Sequence, residues 1–468
     1  MRRVIAIILA LLMILPILGG CGSNEQQENI PTAEGTSEQS EVKFLDDLPA
    51  KDFGGEVVKV LTWTEQTPWD WTEEVRQGEV IDTALFKRQE SVSDRFNVDF
   101  ELVKRDGAWA YRESYVNTIR LSIEGDQGFD IIASHPSSAA AASVAGYLKD
   151  LNALNYIDQS KSYWPEDIWN TLEISEKLYF TTGDITSSAI RSISCMILNL
   201  DIYNSLNYEK SIYDIINDQE WTYEKMLEIS VGILDADKMA ITVGANVEFD
   251  NLFYGAGFRY VEYDPTDEML AISSQVSGEQ LGNFFGNVQK LFKDNVDVMI
   301  APIDAFFTAG QSMWFMGYLS DVQTYLLDVT FDFAIAPYPK LDESQKEYST
   351  VNGWWLSMYS VPTNIRSDEL SGMIIEALAS EGARLVTPAV YEASFELRYL
   401  RTEKNAIVFD LLHDTLVFDA GRIFCDQLDK IGYAFRKASD PAESWTTIVG
   451  SNSSAWERAL RSVLRAFA

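Results

Sequence analysis

The chain has 468 residues, with 37 Lys plus Arg against 71 Asp plus Glu, a formal charge of −34, and two His. So acidic a balance argues against a nucleic-acid binder, which needs a basic face, and against direct docking on anionic lipid. Two His cannot supply a three-His zinc site and no HExxH occurs, so no metal is expected, while 46 % hydrophobic residues suffice for two large lobes or about three domains.

The chain opens with Arg2 and Arg3, followed by a mostly apolar run from Val4 to Leu18. That run is short for a membrane-spanning helix, which needs about 20 residues, and reads instead as the core of a signal peptide. It ends in Leu18-Gly19-Gly20-Cys21, which resembles the bacterial lipoprotein signal. The resemblance implies removal of residues 1–20 and acylation of Cys21. Residues 22–41 are rich in Ser, Glu, Gln, Asn, Thr and Gly and have almost nothing to bury, so residues 21–53 read as a lipidated Cys on a disordered tether. An exported, lipid-anchored protein at the outer face of the cell membrane is the expectation. The other cysteines, Cys195 and Cys425, read either as a disulfide or as two buried thiols.

Val57 to Leu61 reads as a strand, and Ile81, Ala84, Leu85, Val92 and Phe96 recur at helical spacing with Asn97 as the C-cap. Val98 to Val103 alternates like a strand. A helix from about Tyr111 to Glu124 closes at Gly125, and Phe129 to Ala133 is a third strand. This β-α-β-α-β order predicts a parallel sheet with its ligand crevice at the C-terminal ends of the strands, in the loops Thr62–Trp71 and Ser134–Ser138. Further on, Ile190 to Leu200 is a long apolar stretch, Glu220 to Glu224 opens a helix, and Phe331 to Ala336 is a late strand. Ser367 reads as an N-cap, with Leu370, Met373, Ile374, Ala377 and Leu378 forming one apolar helix face.

Taken in order, "FGGEVVKVLTW", "ALFKRQESVSDRFNVDFELV", "GFDIIASHPS", "WTYEKMLEIS", "FDFAIAPYPKLDESQKEYSTVNGWWLSMYSVPT" and "IIEALASEGARLVTPAVYE" resemble bacterial extracellular solute-binding proteins of ABC importers, a type commonly linked to sugars. The resemblance implies an α/β fold of the periplasmic-binding-protein kind. Two α/β lobes are joined by a hinge, with ligand trapped between them. By analogy lobe one is residues 54–188 plus 317–366, and lobe two is 189–316 plus 367–468. The stretch Val390 to Phe424 has no counterpart in the shorter sugar binders of the family.

A sugar offers apolar C–H faces and a rim of hydroxyls, so its site needs aromatic platforms and short polar groups. Trp63, Trp69 and Trp71 lie in the first crevice loop. Trp354 and Trp355 follow Asn352-Gly353, where a strand would turn only one of the two toward the cleft, and Trp355 is preferred. His135 could donate to a hydroxyl or only satisfy its loop. Asp184 could accept two hydroxyls or cap a turn. Trp314, near the second crossing between lobes, is a further candidate. Trp221 and His413 read as structural. Asp235 and Asp237 lack the following ligands of an EF-hand.

A secreted glycoside hydrolase would also be acidic and aromatic-rich, but 71 acids make any search for a catalytic pair worthless, and no GxSxG, P-loop or complete GxGxxG occurs. The reading is therefore capture without chemistry by a monomer with no cofactor, no catalytic residue and no nucleic acid. Permease subunits are the macromolecular partner. A surface carbohydrate adhesin or sensor remains the other use of the same fold.

Overall fold

The structure, a computed structural model, describes residues 43–73, 79–125, 128–231, 233, 238–266, 269–291, 298–395 and 403–468. The expected signal peptide, Cys21 and most of the expected tether lie outside the described residues, as do Asp235 and Asp237, while the last part of the expected tether packs on the body, where Asp46 is buried and pairs with Arg95 at 2.7 Å. The body described here is Phe44–Ala468.

Fourteen strands occur among the described residues. They are β1 (Glu56–Trp63), β2 (Val98–Arg105), β3 (Ile131–Ser134), β4 (Phe180–Thr181), β5 (Ser194–Asn199), β6 (Met239–Val243), β7 (Val261–Asp264), β8 (Met269–Ile272), β9 (Val298–Ile300), β10 (Ser312–Tyr318), β11 (Phe333–Ala336), β12 (Thr350–Val351), β13 (Met358–Ser360) and β14 (Leu416–Val417). Ten of them build two five-stranded sheets, in the orders β2-β1-β3-β13-β4 and β11-β5-β10-β6-β9. In the first sheet β1 runs parallel to β2 and β3, as the β-α-β-α-β pattern predicts, and β13 is antiparallel to β3 and β4. In the second, β10 is parallel to β6 and antiparallel to β5.

Local sequence explains the first sheet well. Val58, Val60, Leu61 and Trp63 are fully buried because β1 is an inner strand covered on both faces. Helix Val80–Phe96 buries Leu85, Arg88, Val92 and Phe96 along one stripe and stops at Asn97. Asn97 adopts the left-handed conformation at φ 50°, which Asn tolerates better than most residues, and its N–H donates to the Ser93 carbonyl. Helix Asp368–Glu381 starts where Ser367 Oγ accepts from the Leu370 N–H at 3.2 Å. It is buried all round, packed against helix Val80–Phe96.

The lobe boundaries differ from those expected. Trp314 to Tyr318 of β10 pair along their length with Leu198 to Ser194 of β5, so the chain does not leave the second sheet at residue 317. β11 then adds to β5, and the return to the first sheet comes between Ala336 and Met358. Helix Asp368–Glu381 belongs with the first sheet, not the second. The third crossing follows it. Phe435–Ser439 and the start of helix Trp445–Phe467 then pack on the helices of the second sheet's side, while the end of that helix returns to the first, with Phe467 against Tyr179.

Two crossing segments are bound to each other. Asn352 Nδ2 donates to the Ala189 carbonyl at 2.5 Å and to Ser192 Oγ at 3.2 Å, and the Gly353 N–H donates to the Ser192 carbonyl at 2.6 Å. A Cβ on Gly353 would sit 2.7 Å from the Tyr318 ring, so the chain passes where only Gly fits. Cys195 and Cys425 are both buried and unpaired, which answers the alternative left open by their spacing.

Candidate functional site

The loops that leave the C-terminal ends of β2 and β3 converge on one aromatic cleft of about 570 Å³, beside the end of β1. Its lining includes Trp109, His135, Trp354, Trp355, Lys430, Tyr433 and Arg436. The first four come from the first sheet's loops and the crossing segment before β13. The last three come from the C-terminal stretch against the second sheet's helices. Ligand crevices of open α/β sheets occur at this end of the strands.

The platforms are built in layers. Trp355 is 48 % exposed and lies parallel to the fully buried Trp63, with centroids 5.9 Å apart and planes at 8°. Trp354 lies parallel to His135 at 5.8 Å and 4°, and Tyr433 meets it edge-on at 6.1 Å. Trp109, 46 % exposed, carries the Arg112 guanidinium 4.2 Å over its ring. Arg112 Nε in turn bonds Asp426 Oδ2 at 2.8 Å, tying the loop after β2 to the C-terminal stretch. Large indoles left half in water are unusual unless something covers them.

His135 is the N-cap of helix Pro136–Val144. Its Nδ1 accepts from the Ser137 N–H at 3.1 Å, which leaves the proton on Nε2. Burial, with the nearby Arg112 and Arg422 charges, pushes its pKa down to about 3, so the imidazole is neutral. A neutral Nε2–H at the cleft wall can donate to a hydroxyl.

Of the sequence candidates, His135 and Trp355 line the cleft, and Trp63 backs it. Trp354 lines it as well, because residues 353–357 are irregular rather than a strand and the alternation argument does not apply. The others sit elsewhere. Trp71 is buried against Phe100 and Arg88. Trp69 is partly buried under the Arg191 guanidinium, 3.9 Å away. Trp314 is fully buried inside the second sheet, tilted on Trp221 at 5.0 Å. Asn352 is buried and holds the crossing segments together. Trp221 is a packing residue whose Nε1 donates to the Pro337 carbonyl at 2.8 Å. Asp184 borders a separate cavity of about 340 Å³ that also includes His413, Asp167 and Asp414. Its Oδ1 accepts from Thr387 Oγ1 at 3.0 Å, and burial raises its pKa to about 6.

Trp109, Lys430, Tyr433 and Arg436 escaped the sequence reading. Trp109 stands after β2 as Trp63 stands at the end of β1, so the same strand-end rule could have found it. The other three lie in a stretch of turns and short 3₁₀ segments with no periodicity to mark it. Among the described residues no group of three or more His, Cys, Asp or Glu is arranged to hold a metal ion.

No family model matches the chain, and no curated protein matches it. Solved structures do. An ABC substrate-binding protein from Listeria monocytogenes in complex with cycloalternan is 13 % identical, with a TM-score of 0.53 over 88 % of this chain and 99 % of that one. The galacto-N-biose/lacto-N-biose I-binding protein of an ABC transporter from Bifidobacterium longum, in complex with lacto-N-biose, is 12 % identical, with a TM-score of 0.58 over 88 % and 99 %. UgpB from Mycobacterium tuberculosis, in complex with glycerophosphocholine, is 15 % identical, with a TM-score of 0.56 over 86 % and 98 %. The chain has the fold of these two-lobed binding proteins across nearly their whole length.

Proposed function

We propose that this chain is the solute-capturing member of a bacterial ABC importer and that it takes a sugar or oligosaccharide in the aromatic cleft. The observation that carries the reading is the cleft itself. Half-exposed indoles and a neutral imidazole donor stand at the C-terminal strand ends of a binding-protein fold, in a space of about 570 Å³. The solved proteins of this fold include ones bound to cycloalternan and to lacto-N-biose, which supports a saccharide. Among the described lining residues there is no carboxylate, so this cleft offers no acid pair for glycoside hydrolysis. Ligand bridging the two walls stabilises a closed form by differential contacts, and membrane permeases then receive it from the monomer.

A thermal-shift and calorimetry panel of mono- and oligosaccharides tests the reading. With the ligand in hand, Trp355→Ala and Trp109→Ala should each weaken binding about three- to tenfold from lost stacking, and more from lost buried area. Their ligand-free melting should stay near that of the parent, because both indoles are half in solvent. Normal affinity in both variants would remove the platform role.

The reading includes an anchor at Cys21 on the outer face of the membrane, supported by the tetrad Leu18-Gly19-Gly20-Cys21. Cys21→Ser should release the protein from membranes of the native host. Mass spectrometry of the parent showing an unmodified mature N-terminus would refute it.

A further inference from the structure

The side chains that line the cleft are biased to the opposite sign from the chain as a whole, although Glu65, Asp250 and Asp426 stand behind them on the Ala108 N–H, Arg436 and Arg112. Acids outnumber bases 71 to 37 overall, yet the described lining holds Lys430 and Arg436 and no Asp or Glu. Lys430 is exposed, and its ammonium has no hydrogen bond or ion pair among the described residues. It follows Asp429 in a tight turn, with both residues at positive φ (51° and 61°), and its N–H donates to the Cys425 carbonyl at 2.8 Å.

Arg436 is held from behind. Its Nε and Nη2 grip the buried Asp250 carboxylate at 2.6–3.0 Å, and Nη1 has no partner among the described residues. Its guanidinium lies 4.1 Å over the Tyr433 ring. Arg422 stands one layer deeper, 5 % exposed and 4.8 Å from the Trp354 ring. Its Nη2 donates to the Asn352 carbonyl at 2.7 Å, and its Nη1 is buried with no partner. Glu248, whose field Arg422 feels, has its pKa pushed up to about 8 by burial and so stays largely protonated at neutral pH. Four cations (Arg112, Arg422, Lys430 and Arg436) therefore surround the cleft. Two of them have a carboxyl partner close by, Asp426 for Arg112 at 2.8 Å and Asp250 for Arg436 at 2.6 Å.

Lys430, which has no partner among the described residues, and the open Nη1 edge of Arg436 stand beside an aromatic wall and offer charge-assisted donors to an anion, an attraction that salt screens at the exposed Lys430. We propose that the ligand of this cleft is an acidic saccharide, its ring stacked on Trp355 or Trp109 and its carboxylate or sulfate held by Lys430 and the open edge of Arg436. This rests on the sugar-capture reading and names the class of sugar.

The test is calorimetry on the full mature chain with trisaccharides of galacturonic, glucuronic and mannuronic acid, their neutral methyl esters, and a sulfated galactose disaccharide with its unsulfated parent. The expected result is at least tenfold tighter binding of one acid than of its neutral counterpart, weakening as salt rises. The uronate and sulfate arms identify which anion is held. Lys430→Met should lose tenfold or more for the acid and little for the neutral form, with unchanged melting. Equal or tighter binding of the neutral sugars would overturn the acidic class and leave sugar capture standing. Binding of no saccharide of either kind would refute sugar capture, and this inference with it.

Discussion

Asp70→Ala should cost the fold about 3–5 kcal/mol, because it leaves the buried Ser357 and Thr186 hydroxyls and the Ser188 N–H without their acceptor, each unmet group costing about 1–3 kcal/mol. Asp70 is fully buried at the end of the short helix Thr67–Asp70. Its Oδ2 accepts from Ser357 Oγ at 2.6 Å, and its Oδ1 accepts from the Thr186 hydroxyl and from the Ser188 N–H at 3.4 Å. Arg88, also fully buried, reaches the same place from helix Val80–Phe96, donating through Nη1 to the Ile185 carbonyl at 2.6 Å and through Nη2 to the Asp70 carbonyl. One carboxylate thus joins the first crevice loop, the first crossing segment and the strand-entry residue Ser357. Urea unfolding followed by far-UV circular dichroism measures the loss. The control Asp99→Ala, on an exposed face of β2, should stay within about 0.5 kcal/mol of the parent. An Asp70→Ala variant within about 1 kcal/mol of the parent would show that burial alone holds these segments.

Trp63→Ala should lower stability and affinity together, unlike the variants of the exposed indoles. The Trp63 ring is fully buried, parallel to Trp355 and edge-on to His135 at 5.5 Å, and its Nε1 donates to Ser357 Oγ at 2.9 Å. Removing a buried indole costs about 3–5 kcal/mol. It also takes away the surface against which Trp355 rests, so the platform loses its fixed angle. Trp63→Phe keeps a ring but loses the hydrogen bond, and should cost about 1 kcal/mol. Melting curves and titrations with the identified ligand separate the two effects. If Trp63→Ala melts far below the parent yet binds normally, Trp355 holds its own position and the backing role is wrong.

Much of this protein is written locally in its sequence. The strand at Val57–Leu61, the stripe Leu85–Val92–Phe96, the Asn97 terminator and the Ser367 cap each depend on neighbours within a few residues, and periodicity and capping report such neighbours directly. The parallel order of β1, β2 and β3 follows from the same local elements through crossover handedness, and it places the crevice at Trp63 and His135. The partners from far along the chain were decided by tertiary structure. Nothing near Trp314 announces that β10 continues into the second sheet and buries that ring on Trp221. Trp71 and Trp355 are indistinguishable as residue types in candidate crevice segments. They differ because Arg88 and Phe100 cover one, while the other rests one face on Trp63 and stays half exposed. Lys430, Tyr433 and Arg436 reach the cleft through a third crossing, which depends on how helix Asp368–Glu381 and the C-terminal segments pack. Periodicity tells a residue which way to face on its own element; what stands opposite is set by the packing of elements hundreds of residues apart.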